Sequence, residues 1–255
     1  MKHITADDGR ILTPPKGIEP LLKGAYPAFY KLLGHMRWFY MTDEIWDGQS
    51  SLAFKTVGEL LSAITLGDGS FNVQIADEDF RVVNENALDD AFGALEKYAT
   101  VNQRRPHEQL TIDPDGCLCG WRCDMCLGSK ECDPKNFTAS ENFGYMNWLC
   151  YHDCIDVKVD RFDGVFRCPG CHALRTRKVV LEDREGCKAF DCLSAKGYAN
   201  CAECGEYHSC DVFQNCHHPA QCNLGITAEE INKLVIPYAT KERLDYYRSQ
   251  LNESR

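Results

Sequence analysis

Sixteen cysteines fall between residues 117 and 222 of this 255-residue chain, and none falls outside that segment. They are Cys117, Cys119, Cys123, Cys126, Cys132, Cys150, Cys154, Cys168, Cys171, Cys187, Cys192, Cys201, Cys204, Cys210, Cys216 and Cys222. Three Cys-x-x-Cys pairs stand among them: Cys123/Cys126, Cys168/Cys171 and Cys201/Cys204. That spacing turns two thiolates toward one ion while the amides of the intervening turn face the sulfurs. A single pair arises by chance or serves as a redox dithiol. Three pairs with ten more cysteines around them point to metal–thiolate chemistry, and all sixteen cysteines are candidate metal ligands.

The spacing suits two kinds of metal group. Cys119-x3-Cys123-x2-Cys126 can hold three irons of a four-iron cluster, leaving one iron for a distant cysteine or a small ligand. Radical S-adenosylmethionine enzymes use the same spacing, but the alternating strands and helices of their barrel do not follow Cys126. Cys168-Pro-Gly-Cys171 and Cys201-Ala-Glu-Cys204 look instead like the two knuckles of a zinc ribbon. Cys150 and Cys154 are four apart, so a helix would put both sulfurs on one face. His152, His172, His208, His217 and His218 lie near cysteines, and each is read first as a surface or supporting residue, second as a nitrogen ligand. Sixteen thiols suffice for four four-ligand sites. So thiolate-rich a set suits iron–sulfur clusters, with zinc as the alternative, and disfavours magnesium and calcium.

Composition narrows the setting. The first eight residues, Met1 to Asp8, carry no apolar core or small-residue cleavage site, so no secretory signal is expected. No apolar run approaches the roughly 18 residues that read as a membrane span. A cytoplasmic location follows as the expectation, and structural disulfides are rare there. The net charge of −10 argues against a nucleic-acid partner, which needs a basic face. No phosphate-binding glycine loop, Gly-x-Ser-x-Gly elbow or His-Glu-x-x-His helix is present.

The elements around the cysteines predict an α+β fold. Residues 1–24 read as an extended lead-in packed on the first domain. Residues 25–105 read as a compact domain of helices and antiparallel sheet. Phe29, Leu32, Leu33 and Met36 fall on one helix face behind Pro27. Trp38, Tyr40 and Trp46 form an aromatic stretch expected in the core, with a planar-ligand surface as the lesser reading. Leu52 and Phe54 alternate with polar neighbours, and Glu59 to Leu66 is a further strand. Gly67-Asp68-Gly69-Ser70 then turns into Phe71, Val73 and Ile75. Asp77-Glu78-Asp79 reads as a solvated turn. Asn86 is placed to cap a helix burying Leu88, Ala91, Phe92, Leu95 and Tyr98. A boundary at residues 102–116 leads into a cysteine-rich domain, 106–225, with short helices at Tyr145 to Cys154 and Cys187 to Lys196. Bound metal must supply much of its stability, about 10 kcal/mol or more per structural ion. Residues 226–255 predict two helices. The first has a Thr227/Glu230 capping box, an apolar stripe of Ile231, Leu234 and Val235, and a stop at Pro237. The second starts at Thr240 and buries Leu244, Tyr247 and Leu251.

The pattern Cys119-Gly-x-x-Cys123-x-x-Cys126, Cys168-x-Gly-Cys171, Cys187-x4-Cys192-x3-Lys196-Gly197-x3-Cys201-x-x-Cys204, followed by Tyr207 and Cys210, resembles the cysteine-rich domain of unknown function 3795. That family is typical of anaerobic bacteria and archaea, and the resemblance covers residues 117–215. The spacing between Cys204 and Cys210 is longer here, and an insertion carries Cys150 and Cys154. Leu52-Ala53-Phe54-Lys55 through Gly69-Ser70-Phe71-Asn72-Val73 resembles domain of unknown function 3788, an α+β domain. Together the resemblances imply a metalloprotein of two modules.

The resulting expectation is an iron–sulfur protein with an electron-transfer or redox role in an anaerobe, served by a redox partner protein or small molecule. The alternative is a zinc-stabilised binding module whose N-terminal domain recognises a ligand or protein. Metal or sulfur trafficking through exchangeable thiolates is a third possibility.

Overall fold

The computed structural model describes residues 4–56, 58–112, 120, 122, 125–127, 136–138, 141–142, 188–211 and 223–253. The chain divides into two compact units, one of residues 1–106, 138–143 and 221–231, the other of residues 107–137, 144–220 and 232–255. The α+β expectation holds.

The first unit is built on a five-stranded antiparallel meander, β3 (Asp43–Trp46), β4 (Ser51–Thr56), β5 (Glu59–Gly67), β6 (Ser70–Ile75) and β7 (Glu78–Val82), paired in chain order. Before it come a two-stranded ribbon, β1 (Ile4–Thr5) and β2 (Ile11–Leu12), and the helices α1 (Glu19–Leu22) and α2 (Tyr26–Phe39). After it comes α3 (Asp89–Tyr98). Residues 4–24 form a ribbon and short helices rather than an extended lead-in, and Leu12, Ile18 and Leu22 are fully buried, in keeping with a segment packed on the domain.

Period decides which residues face the core. Phe29, Leu32, Leu33 and Met36 form one buried face of α2. Leu52 and Phe54 of β4 and Phe71, Val73 and Ile75 of β6 are buried at alternate positions and share that core with α2 and α3. Phe29 meets Phe71 edge to face, ring centroids 5.8 Å apart. Trp38, Tyr40 and Trp46 are buried, so they belong to the core and offer no ligand platform.

Three details of the sequence reading change. The turn after β6 is Ala76-Asp77, and Glu78-Asp79 open β7, where Glu78 accepts hydrogen bonds from Lys97 (3.2 Å) and Tyr98 (2.8 Å). Asn84, not Asn86, is the cap before α3: its side chain accepts from the Asn86 N–H at 3.1 Å. Tyr98 points outward to make the Glu78 contact and stays 39% exposed.

The first unit also contains the chain from 221 to 231. Leu224 and Thr13 exchange backbone hydrogen bonds (2.7 and 3.4 Å), and the Glu44 N–H donates to the Ile226 carbonyl at 2.9 Å, covering the β3 edge. Gly225 has φ +85° there, and a Cβ would sit 2.7 Å from the Ile11 carbonyl oxygen, so only glycine fits. Arg10 grips the same stretch through the Gly225 carbonyl (2.6 Å) and the Glu230 carboxylate (2.9 and 3.1 Å). The expected capping box is present: Glu230 accepts from the Thr227 N–H at 2.7 Å, and Thr227 Oγ1 accepts from the Glu230 N–H at 3.2 Å.

Under this return segment lies a buried ion pair. Arg37 donates to both Glu44 carboxylate oxygens at 2.6 and 2.9 Å, with side chains 4% and 0% exposed. Arg37 also donates to the Asn223 carbonyl at 2.7 Å, and Glu44 accepts from the Gly225 N–H at 3.1 Å. A second buried arginine, Arg105, donates to the carbonyls of Arg37 (2.8 Å), Trp38 (3.0 Å) and Tyr40 (3.2 Å) at the end of α2. Burial pulls its pKa down to about 10, so it remains a cation at neutral pH.

In the second unit the described elements are α4 (His107–Leu110), α5 (Lys188–Lys196), α6 (Ala228–Leu234, which begins in the first unit) and α7 (Thr240–Glu253), with Pro237 in a 3-10 turn before α7. Leu244 is fully buried, and Tyr247 and Leu251 are half-buried. Arg243 is fully buried and donates to the carbonyls of Gly120 and Ile236, both at 2.6 Å. The helix expected at Tyr145 to Cys154 lies outside the described residues. Among the described residues no helix is long and apolar enough to cross a membrane.

Two predictions follow from the first unit. Glu44→Gln, or Arg37→Met alone, strands the other charge in the core and costs about 3–5 kcal/mol in urea unfolding. The double variant Arg37→Met/Glu44→Leu recovers much of that; a loss of only about 1 kcal/mol in the single variants would show the pair to be solvated. His35 stacks on Phe92 and meets Phe39 at a tilt, ring centroids 4.1 and 4.7 Å away, and burial pulls its pKa from 6.5 to about 4. As pH falls the unfolded chain therefore binds this proton first, and stability drops between about pH 6.5 and pH 4. His35→Phe removes that share of the pH dependence, read as a smaller drop in melting temperature across the window.

Candidate functional site

Four of the sixteen cysteines border one space in the second unit. Cys192, Cys201, Cys204 and Cys210 line a small cavity with Ala189, Leu193, Lys196 and Tyr207. Ala189, Cys192, Leu193 and Lys196 come from α5 at i, i+3, i+4 and i+7, so one helix face supplies half the wall.

Short-range geometry brings the other three cysteines back to that face. Gly197 ends α5 with φ +72°, and the Tyr198 N–H donates to the Leu193 carbonyl at 3.2 Å, the six-to-one bond of a Schellman turn. Asn200, 5% exposed, then caps the turn Cys201–Glu203 by accepting from the Ala202 N–H at 3.0 Å. The Cys204 N–H donates to the Cys201 carbonyl at 3.1 Å, closing the Cys-x-x-Cys turn. A second 3-10 turn, Tyr207–Ser209, places Cys210.

α7 braces this loop. Arg248 donates to the carbonyls of Ala202 (2.7 Å) and Cys204 (2.9 Å), and its guanidinium carbon lies 5.4 Å from the Tyr207 ring centroid. The Tyr207 hydroxyl donates to Asp245 at 2.8 Å. Burial, and then that hydrogen bond to Asp245, hold the Tyr207 phenol well above its ordinary range, so it stays protonated. Lys196 Nζ lies 3.8 Å from Cys204 Sγ and pairs with Glu206.

Cys126 is also described: it is 4% exposed and does not line the cavity. Among the described residues no disulfide joins these five cysteines. His208 is exposed and packs edge-on to Tyr207 at 4.9 Å, outside the lining. Cys117, Cys119, Cys123, Cys132, Cys150, Cys154, Cys168, Cys171, Cys187, Cys216 and Cys222, with His152, His172, His217 and His218, lie outside the described residues.

The donor set is in kind that of a thiolate-bound metal group. Four sulfurs with no imidazole or carboxylate match the ligand set of a four-cysteine iron–sulfur cluster or zinc site. The sulfurs border a space rather than meet at a point: among the described residues no three His, Cys, Asp or Glu side chains group so as to hold a metal ion. No family model, curated protein or solved structure matches the chain, so the family resemblance rests on the residue pattern alone.

Sequence reasoning named the cysteines as ligands and carried Lys196 and Tyr207 only within the family pattern, with no role at a site. The spacing Ala189, Cys192, Leu193, Lys196 carries the signal for Lys196, because a helix must put these four on one face. Gly197 offers a direct test of the turn. A methyl group there meets nothing within 4 Å, so the cost of Gly197→Ala is conformational alone. The expected loss is about 1 kcal/mol in chemical denaturation; an unchanged midpoint would show that the turn does not constrain the loop.

Proposed function

We propose that this chain is a metal–thiolate protein that binds an iron–sulfur cluster and serves in electron transfer or redox chemistry. The observation that carries the reading is the cavity lined by Cys192, Cys201, Cys204 and Cys210. Those residues would hold the cluster, which supplies one-electron redox capacity when bound. The protein's own part is to fix the thiolates on α5 and the capped turns and to line the cavity with Ala189, Leu193 and Tyr207. Cys204 is buried while Cys192, Cys201 and Cys210 are half-buried, and such solvent access is one determinant of potential and lability in thiolate sites. The Cys119-x3-Cys123-x2-Cys126 spacing supports a second thiolate group elsewhere in the chain. The resemblance to domain of unknown function 3795 supports the anaerobic setting, with a partner protein or small molecule exchanging the electrons.

Zinc is the second reading, favoured by two observations. The Cys201–Cys204 turn is closed by a backbone hydrogen bond in the manner of a zinc knuckle, and the cavity is small, ≈ 20 Å³. In that reading the cysteines are structural, and recognition falls to the first unit.

Metal analysis of protein purified without oxygen separates the two. A brown sample with iron and acid-labile sulfide is expected. Replacing Cys192, Cys201, Cys204 and Cys210 together by Ser should remove about four irons per chain. A colourless protein with stoichiometric zinc that resists cluster reconstitution establishes the second reading, and a protein that takes up neither metal rejects both.

A further inference from the structure

Lys196 occupies the last position of α5 and, among the described residues lining the cavity, is the one cationic side chain. Its Nζ is 3.8 Å from Cys204 Sγ. Its other partner is Glu206, two residues beyond Cys204. An ammonium paired with a carboxylate carries its charge at neutral pH.

Four thiolates leave an iron–sulfur site net negative, and reduction adds a further negative charge. A cation this close to one ligand sulfur favours the more negative state by Coulomb attraction. Glu206 opposes that effect, because its carboxylate neutralises part of the ammonium's field. The side chains of Lys196 and Glu206 are 36% and 73% exposed, so water and salt screen both contributions.

We propose that Lys196 is a positioning residue that acts through its charge: its ammonium beside Cys204 stabilises the reduced state of the thiolate site and raises its reduction potential, with Glu206 as the counterweight. The inference rests on the iron–sulfur reading above. Reduction here means uptake of one electron from a one-electron donor, with no bond made or broken and the site's charge falling by one.

The test is a mediated redox titration of the full chain, purified without oxygen, with dithionite as reductant. The transition lost in Cys204→Ser marks the one that belongs to this site. Lys196→Gln is expected to weaken reduction there several-fold, up to about tenfold, which corresponds to about 59 mV for one electron. Lys196→Arg keeps the charge and should stay near the parent value. Glu206→Gln is expected to shift the same transition the opposite way, and added salt should shrink both shifts.

A merely structural ion pair would behave differently. It would move Lys196→Gln and Glu206→Gln in the same direction, with iron lost from both, and that result overturns the inference. An unshifted Lys196→Gln transition with iron and sulfide intact also overturns it while leaving the cluster reading in place. A parent protein without iron and sulfide overturns the cluster reading and the inference with it.

Discussion

The first unit depends on one buried charge pair. Arg37 and Glu44 are only seven residues apart, and a short pair of that kind needs nothing distant to form. What it does need is relief from burial, because the attraction between two buried charges does not by itself offset their lost hydration. The Asn223 carbonyl and the Gly225 N–H supply that relief from far along the chain. The ion pair therefore selects the position of the return segment, and Gly225 is the residue that lets the backbone approach. The cap on β3, the Arg10 clamp and the start of α6 all follow from having residues 223–230 in that place.

The cysteine cavity follows the opposite strategy. All four of its cysteines lie within residues 192–210, and each is placed by local means: a helix face, a glycine turn, an asparagine cap and two 3-10 turns. α7 braces the product through Arg248 and Asp245. A cavity so built holds its rough shape by local structure alone, which lowers the ordering cost that binding of any ligand must meet.

Sequence pattern was a good guide wherever period and burial agree. The α2 face, the β4 and β6 alternation and the Thr227 capping box were legible for that reason. β3 and β7 were not, because edge strands carry charge and read as turns. In β3 one of the two inward positions is a glutamate, and nothing local announces that an arginine on the preceding helix will meet it. The folding of residues 4–24 was obscured by their prolines and glycine, although Leu12, Ile18 and Leu22 had apolar side chains to bury. At the site, cysteine count pointed to thiolate chemistry but not to the grouping, since grouping depends on turns that bend the chain back on itself. The face shared by Cys192 and Lys196 was readable from helical spacing, yet the turn that brings Lys196 to Cys204 depends on φ at Gly197.

The return segment also sets an order of events during synthesis. After Pro106 the ribosome must add more than a hundred residues before Asn223 emerges to complete the core. At about 5–20 residues per second this takes on the order of ten seconds. Throughout that interval the backbone edge of β3 lacks its cover and the Arg37–Glu44 pair lacks two of its partners. The cysteine segment meanwhile leaves the ribosome in full. Its thiols therefore face metal or oxidant before the first unit closes.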